Sequence, residues 1–197
     1  MSLVLHAAAQ DLLFRDAHTA YTFTDAPVTD LQLEAIYDLV KNAPTAFNLQ
    51  SLRLVMVRSD GARERLVEHM GGGNKAKTAS APLTIILAAD TNFHDDLPVN
   101  FPAFPGARDM FVDDDVARAD VAVRNGFLQV AYFLLGIRAA GLVAGPMSGF
   151  DAAGVEKEFF PDGHHKALAV VNLGQPGEQA FYPRGPRYAY VDVATTV

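Results

Sequence analysis

The sequence predicts a single domain of α+β class, and three observations carry that prediction. Two short, continuous apolar runs, Pro82 to Ala89 and Ala167 to Leu173, have the length and composition of strands buried on both faces. Between them lies a long stretch of helical periodicity, from about residue 117 to 140. Helices and strands are otherwise mixed without the regular βαβ alternation of a doubly wound parallel sheet.

The remaining elements follow in chain order. Leu5, Ala8, Ala9, Leu12 and Leu13 recur at helical spacing, which predicts an amphipathic helix over residues 3–14. A polar stretch, Arg15 to Asp25, leads to Pro27. Thr29-x-x-Gln32 then has the form of a capping box, in which side chains satisfy the free N–H groups of a helix start. The helix it opens carries Leu31, Ala35, Ile36, Leu39 and Val40, and Asn42-Ala43-Pro44 stops it. Arg53 to Arg58 reads as a strand, Ala62 to Met70 as a short helix, and Gly71-Gly72-Gly73 as the flexible run that ends it. Residues 91–112, rich in Pro, Phe and Asp, read as an irregular excursion or lid.

In the long helix, Val123, Phe127, Val130, Leu134 and Ile137 share one side. Arg124, Asn125, Gln129 and Arg138 interrupt its apolar surface, so a buried central helix is expected and a membrane span is not. Gly145-Pro146-Met147-Ser148-Gly149-Phe150-Asp151 reads as a stiff turn before a new helix that opens near Asp151 and continues through Val155 to Phe160. The tail, residues 184–197, holds Arg184-Gly185-Pro186-Arg187 and the alternating Tyr188 to Val193, an edge strand or an arm reaching a second subunit.

Composition bounds the chemistry. With 197 residues, half of them hydrophobic and a fifth charged, the chain is an ordinary globular domain. Its formal net charge of −7 argues against nonspecific nucleic-acid binding but leaves room for a local basic pocket. The absence of cysteine excludes disulfides, a thiolate nucleophile and Cys-ligated metal, so redox chemistry would need a bound cofactor. The N-terminus lacks the basic region of a signal peptide, which makes the cytoplasm the expected location.

No Gly-x-Gly-x-x-Gly follows a strand, Gly71-Gly72-Gly73-Asn74 lacks the ending of a P-loop, and no Gly-x-Ser-x-Gly elbow occurs. His164-His165 reads as a solvated loop and Asp113-Asp114-Asp115 as a charged loop or helix start, so no metal site is expected. Four segments carry candidate chemistry. Gly145 to Gly149 is either plain punctuation or a small-residue shelf for a planar ring, since glycine lacks a Cβ and proline an N–H. Asn74 and Lys77, three apart, share a helical face and offer an amide and a cation. Pro44-Thr45-Ala46-Phe47-Asn48-Leu49-Gln50 places two amides just before a strand. Arg184 and Arg187 flank a Gly-Pro as a candidate oxyanion clamp.

Taken in order, Ala17-His18-Thr19-Ala20-Tyr21-Thr22-Phe23, Pro44-Thr45-x-x-Asn48-x-Gln50, Asn74-x-x-Lys77, the Gly-Pro-Met-Ser-Gly-Phe-Asp string and Arg184-x-x-Arg187 resemble the FMN-dependent nitroreductase family across nearly the whole chain. Gly73 to Pro82 and the string at residues 145–151 are most similar to its malonic semialdehyde reductase branch. The resemblance implies a nitroreductase-like FMN-binding fold, with a central and mainly antiparallel sheet flanked by helices. It also implies an intertwined homodimer with two FMN sites at the subunit interface. On this basis His18, Thr19, Arg184 and Arg187 are expected to hold the FMN phosphate, with Tyr21 beside them. Asn74 and Lys77 would meet the pyrimidine edge. Pro44, Thr45, Asn48 and Gln50 would line the ring, and Pro146, Met147, Ser148 and Gly149 would pack against it.

The mechanism implied is ping-pong: NADH or NADPH gives hydride to flavin N5, leaves, and a small acceptor takes its place. No protein nucleophile is needed, and no catalytic residue is assigned. The acceptor implied is malonic semialdehyde, reduced to 3-hydroxypropionate, with Arg108 as a candidate partner for its carboxylate; the alternative is a nitroaromatic or quinone. A reading of another class is a non-catalytic flavin- or tetrapyrrole-binding dimer. One departure stands out. Many members carry an arginine-rich run with serine in the first FMN segment, whereas here Ala17, His18 and Tyr21 occupy positions where cations often occur. Thr19 keeps the hydroxyl, and more of the phosphate's hold would fall on Arg184 and Arg187.

Overall fold

Four segments form one sheet: β1 (Leu52–Val57), β2 (Leu83–Asp90), β3 (Val143–Met147) and β4 (His165–Gly174). The computed structural model describes residues 3–197 and pairs these strands antiparallel throughout, in the order β1–β2–β4–β3. The central strands, β2 and β4, send alternate side chains to opposite faces. Ile85, Leu87, Val171 and Leu173 enter the larger core with Phe133 and Ile137, while Ile86, Ala88 and Val170 enter a smaller core with Leu66 and Val155. Burial on both faces removes the polar half of a period-2 pattern, which is why both strands read as continuous apolar runs.

The helices are α1 (Ala7–Gln10), running into a π-helical turn at Asp11–Arg15, α2 (Asp30–Val40), α3 (Asp60–His69), α4 (Gly72–Ser80), α5 (Leu97–Asn100), α6 (Asp115–Ala139), α7 (Ala152–Phe159) and α8 (Tyr190–Val193). The capping box of α2 is complete: Thr29 N–H donates to Gln32 Oε1 at 2.9 Å and Gln32 N–H to Thr29 Oγ1 at 3.2 Å. Asp114 caps α6 by accepting from Ala117 N–H at 2.9 Å, which gives part of the Asp113–Asp115 run its role as a helix start.

Several expectations are corrected. The first helix starts at Ala7 rather than near residue 3, after an extended His6, and neither it nor the π-helical turn buries a residue. Its apolar spacing has little in the chain to pack against, and helices gain most of their stability from packing. The glycine run does not loosen the chain after α3. Gly72 and Gly73 open α4. Gly71 N–H donates to Gly149 O at 2.9 Å, and a Cβ on Gly71 would stand 2.8 Å from that oxygen. Glycine is needed there for close approach.

Part of the predicted turn at residues 145–149 is strand. Gly145, Pro146 and Met147 belong to β3, where Pro146 pairs with Val171. β3 is an edge strand, where a residue without N–H is tolerated. Gly145 admits the chain crossing over it: Thr19 bridges Ala144, Ala20 N–H donates to Ala144 O at 2.9 Å, and a Cβ on Gly145 would lie 2.5 Å from Ala20 O.

Residues 91–112 fold into two 3₁₀ turns around α5 and bury Phe93, Leu97, Ala107 and Phe111 in the larger core. α6 is buried on one face only. Phe127, expected on the buried side, is 49% exposed, beside Leu128 and Tyr132, which are exposed too. The tail forms one helical turn, α8, instead of an edge strand, and residues 181–193 are exposed throughout. Alternation makes a strand only where a sheet edge is there to pair with it. Among the described residues, no helix is long and apolar enough to cross a membrane.

Candidate functional site

A cleft of about 450 Å³ opens where residues 17–21 meet residues 182–187 and the last turn of α6. His18, Thr19, Tyr21, Arg184 and Arg187, predicted from separate parts of the sequence, all line it. Long-range pairing brings them together. Ala20 bridges Phe181, Tyr21 N–H donates to Ala180 O at 2.9 Å, and the rings of Tyr21 and Tyr182 meet edge-on at 4.3 Å. Arg184 Nη2 donates to the carbonyls of Arg15 and Ala17 at 2.6 and 2.9 Å, which ties the tail to the end of the π-helical turn. Among the described residues, Arg187 bonds only its own loop, through the carbonyls of Gly185 and Pro186.

Sequence reasoning missed Arg138, which also lines this cleft. Burial, and then the charge of Arg184, hold its guanidinium below the ordinary arginine range. The available signal was a cation interrupting the apolar α6. Among the described residues, none of Arg138, Arg184 and Arg187 has a carboxylate within 4.0 Å.

The rim continues from Tyr21 to α4. Lys77 Nζ stands 5.2 Å from the centroid of the Tyr21 ring. Its backbone carbonyl accepts from Asn172 Nδ2 at 3.1 Å, and the buried Asn172 in turn accepts from Thr84 Oγ1 at 2.8 Å. Asn74 Nδ2 donates to Gly149 O at 2.8 Å, so this predicted ligand also clamps the residue 145–149 segment. Pro146, Ser148 and Gly149 are exposed there. Met147 is not: its side chain is buried in the smaller core, with Thr78 Oγ1 3.8 Å from its sulfur, because alternation along β3 turns it inward. Met147 therefore presents only backbone to a ligand.

Pro44, Thr45, Asn48 and Gln50 lie elsewhere. They line a separate cavity of about 420 Å³ with Tyr37 and Lys41. Phe47, Asn48 and Gln50 hold positive φ of 52°, 50° and 47°, a left-handed conformation that side chains rarely adopt. Neighbouring elements impose it. Ala46 N–H donates to Asn125 Oδ1 at 2.8 Å, Leu52 N–H to Gln129 Oε1 at 3.0 Å, and Asn48 Nδ2 to Asn100 O at 2.9 Å. Asn125 and Gln129 are buried polar side chains of α6, also missed as site residues, although they too interrupt its apolar pattern. Asn125 lies thirteen residues before Arg138, roughly 20 Å along the helix. The predicted site is thus divided between two places on one chain.

A model of the nitroreductase family matches residues 15–175. The chain belongs to the nitroreductase family. A Streptomyces griseus protein named as a candidate NADH dehydrogenase/NAD(P)H nitroreductase is 59% identical over 197 residues, covering 100% of both chains. A similarly named protein of Streptomyces coelicolor is 60% identical over the same length and coverage. Among solved structures, a candidate nitroreductase of Bacillus subtilis superposes with a TM-score of 0.83 at 25% identity, over 98% of this chain and 100% of that one. A candidate nitroreductase of Exiguobacterium sibiricum, solved in complex with FMN, shares the fold with a TM-score of 0.84 at 15% identity, covering 100% of both chains. The α+β nitroreductase fold expected from the sequence is the one observed.

Two other candidate features of the chain are occupied by its own groups. Arg108 in the 91–112 excursion is paired with Asp95 at 2.9 Å. His165 is paired with Asp162 at 3.0 Å and stacks on Phe160, and the His164 carbonyl accepts from Thr91.

Proposed function

We propose that this nitroreductase is an FMN-dependent NAD(P)H oxidoreductase that works as a homodimer on a small electron acceptor. The observation that carries this reading is the convergence of His18, Thr19, Arg184 and Arg187 on one polar cleft, with Tyr21 and Lys77 leading from it to Asn74 and Gly149. A phosphate monoester needs cations, hydroxyl donors and no competing carboxylate, and this cleft offers that set within a chain of net charge −7. The residues fit the cofactor. Arg184 and Arg187 would hold the phosphate and Thr19 would donate to it. Lys77 would set a positive charge beside the polar edge of the ring, and Pro146, Ser148 and Gly149 would support its face. When bound, the flavin supplies two-electron transfer from NAD(P)H to the acceptor.

The division of the site supports the homodimer. Across a two-fold axis the Pro44–Gln50 turn can complete the cleft of the other subunit, which it does not reach within its own chain. Exposed Phe127, Leu128 and Tyr132 on α6, with the exposed tail, supply apolar surface for such an interface. The names of the relatives favour a nitroaromatic or quinone acceptor. Arg108, the side chain that pointed to a carboxylate-bearing semialdehyde, is already neutralised by Asp95.

The test is anaerobic spectroscopy of protein reconstituted with FMN. NADH or NADPH should bleach the flavin, and a nitrofuran or quinone should restore its colour faster than malonic semialdehyde does. Faster recovery with the semialdehyde would reverse the acceptor assignment. A loaded protein that neither nucleotide bleaches would be a flavin-binding dimer without turnover. Protein that takes up no FMN would refute the reading.

A further inference from the structure

Arg138 stands in the last turn of α6, where a cation commonly complements the helix dipole. Its surroundings ask for more than that. It spends one N–H on the Leu13 carbonyl at 2.9 Å, which leaves four of the five guanidinium donors. It shares the cleft with Arg184, whose own position is fixed by the carbonyls of Arg15 and Ala17. The half-buried Arg138 and the exposed Arg184 are thus both tied to one backbone segment, residues 13–17. No carboxylate lies within 4.0 Å of either among the described residues, in a chain with 23 acidic and 16 basic residues. Like charges held together without a counter-charge are costly unless an anion joins them. Ala17 and His18, which stand where family members often carry cations, line the same cleft wall.

We propose that Arg138 is a direct ligand of the FMN phosphate, supplying from α6 the cation that the segment from Ala17 to Tyr21 lacks. This rests on the flavin reading above and adds to it a residue far in sequence from both phosphate-binding segments. The phosphate is a dianion with three free oxygens. The free Nε/Nη2 fork of Arg138 can bind it in a bidentate way, while Arg184, whose Nη2 is spent on Arg15 and Ala17, can donate through Nε or Nη1. Arg138 then has two tasks: its bond to Leu13 ties α6 to the π-helical turn, and its remaining donors meet the ligand.

The experiment separates those tasks by comparing FMN with riboflavin, which lacks the phosphate, through quenching of flavin fluorescence. Arg138→Gln should raise the Kd for FMN by about 10- to 100-fold and leave that for riboflavin unchanged. The exposed control Arg124→Gln should alter neither. Arg138→Met serves as the second variant, with thermal melts to confirm that each is folded. On the wild-type chain, phenylglyoxal should modify Arg138 in the flavin-free protein and spare it once FMN, but not riboflavin, is bound. Equal loss of both flavins in the Arg138 variants, or modification unaffected by FMN, would leave Arg138 only its structural bond and overturn the proposal. If Arg187→Gln loses FMN selectively while Arg138→Gln does not, the flavin reading stands and this inference falls. Wild-type protein that binds riboflavin as tightly as FMN removes both.

Discussion

The cleft around Arg184 draws on residues 17–21, 138 and 182–187, whereas the Pro44–Gln50 turn is a single local segment. Their costs differ in kind. In the cleft, guanidiniums share a wall without carboxylates, an electrostatic debt that an anion would relieve. In the turn, Phe47, Asn48 and Gln50 sit in left-handed backbone, a conformational cost of order 1 kcal/mol or more per residue. Both are positioned by α6, through Arg138 at its end and Asn125 and Gln129 near its middle. One helix therefore contacts both regions, through side chains roughly 20 Å apart along its axis. The difference is that the cleft gathers charges from distant segments, while the turn holds a backbone shape locally.

Substitutions can break each region separately. The largest effect is expected from Gly145→Val, whose side chain must enter the space of Ala20 O. It should part residues 19–20 from β3, lower stability by about 2–4 kcal/mol and abolish flavin uptake, as thermal melts and flavin titration would reveal. Next, Arg187→Ala should leave the melting temperature of the flavin-free protein unchanged, because its bonds are confined to its own loop. Its FMN affinity should fall roughly 10- to 100-fold, and retention of the flavin in gel filtration would count against the clamp. Asn125→Ala should do the reverse. It leaves Ala46 N–H without its partner, at a cost of about 1–3 kcal/mol in stability, while FMN and riboflavin should weaken by the same factor.

The smallest expected effect is a pH dependence in the 91–112 excursion, which borders the turn through Asn100. His94 is buried, its Nδ1 has no hydrogen-bond partner among the described residues, and burial holds its pKa below the ordinary histidine value. Asp95 opposes that shift, while Arg118 and Arg108 reinforce it. A depressed pKa in the folded state means that the unfolded chain binds the proton first. The contribution of neutral His94 is therefore complete above about pH 6.5 and is lost as the pH falls below it. Melting temperatures between pH 7.5 and 5 should decline less steeply in His94→Leu than in the wild-type chain.

Much of this was legible in the sequence, for reasons that can be named. β2 and β4 were readable because burial on both faces leaves an uninterrupted apolar run, and α2 because Thr29 and Gln32 announce its start. β3 was hidden because Gly145 and Pro146 spell a turn in any local reading, and only an edge position with a crossing chain makes them strand residues. Asn74, Lys77, Arg184 and Arg187 stood out as candidates by residue type and spacing. Arg138, Asn125 and Gln129 were not, since an isolated polar residue on an apolar helix gains its meaning only from what folds against it. That the candidate residues fall in two separate places is likewise a matter of three-dimensional arrangement, since chain order placed the Pro44–Gln50 turn and the cleft in one continuous series.

The central claim is that two regions apart on one chain become one flavin site in a homodimer. Sedimentation of FMN-reconstituted protein, followed at the flavin and protein absorbance bands together, tests it most directly. The expected result is flavin co-sedimenting with a species of twice the 21.2 kDa chain mass, at one FMN per chain. Flavin carried by a monomer of that chain, or a dimer that sediments without flavin, would contradict it.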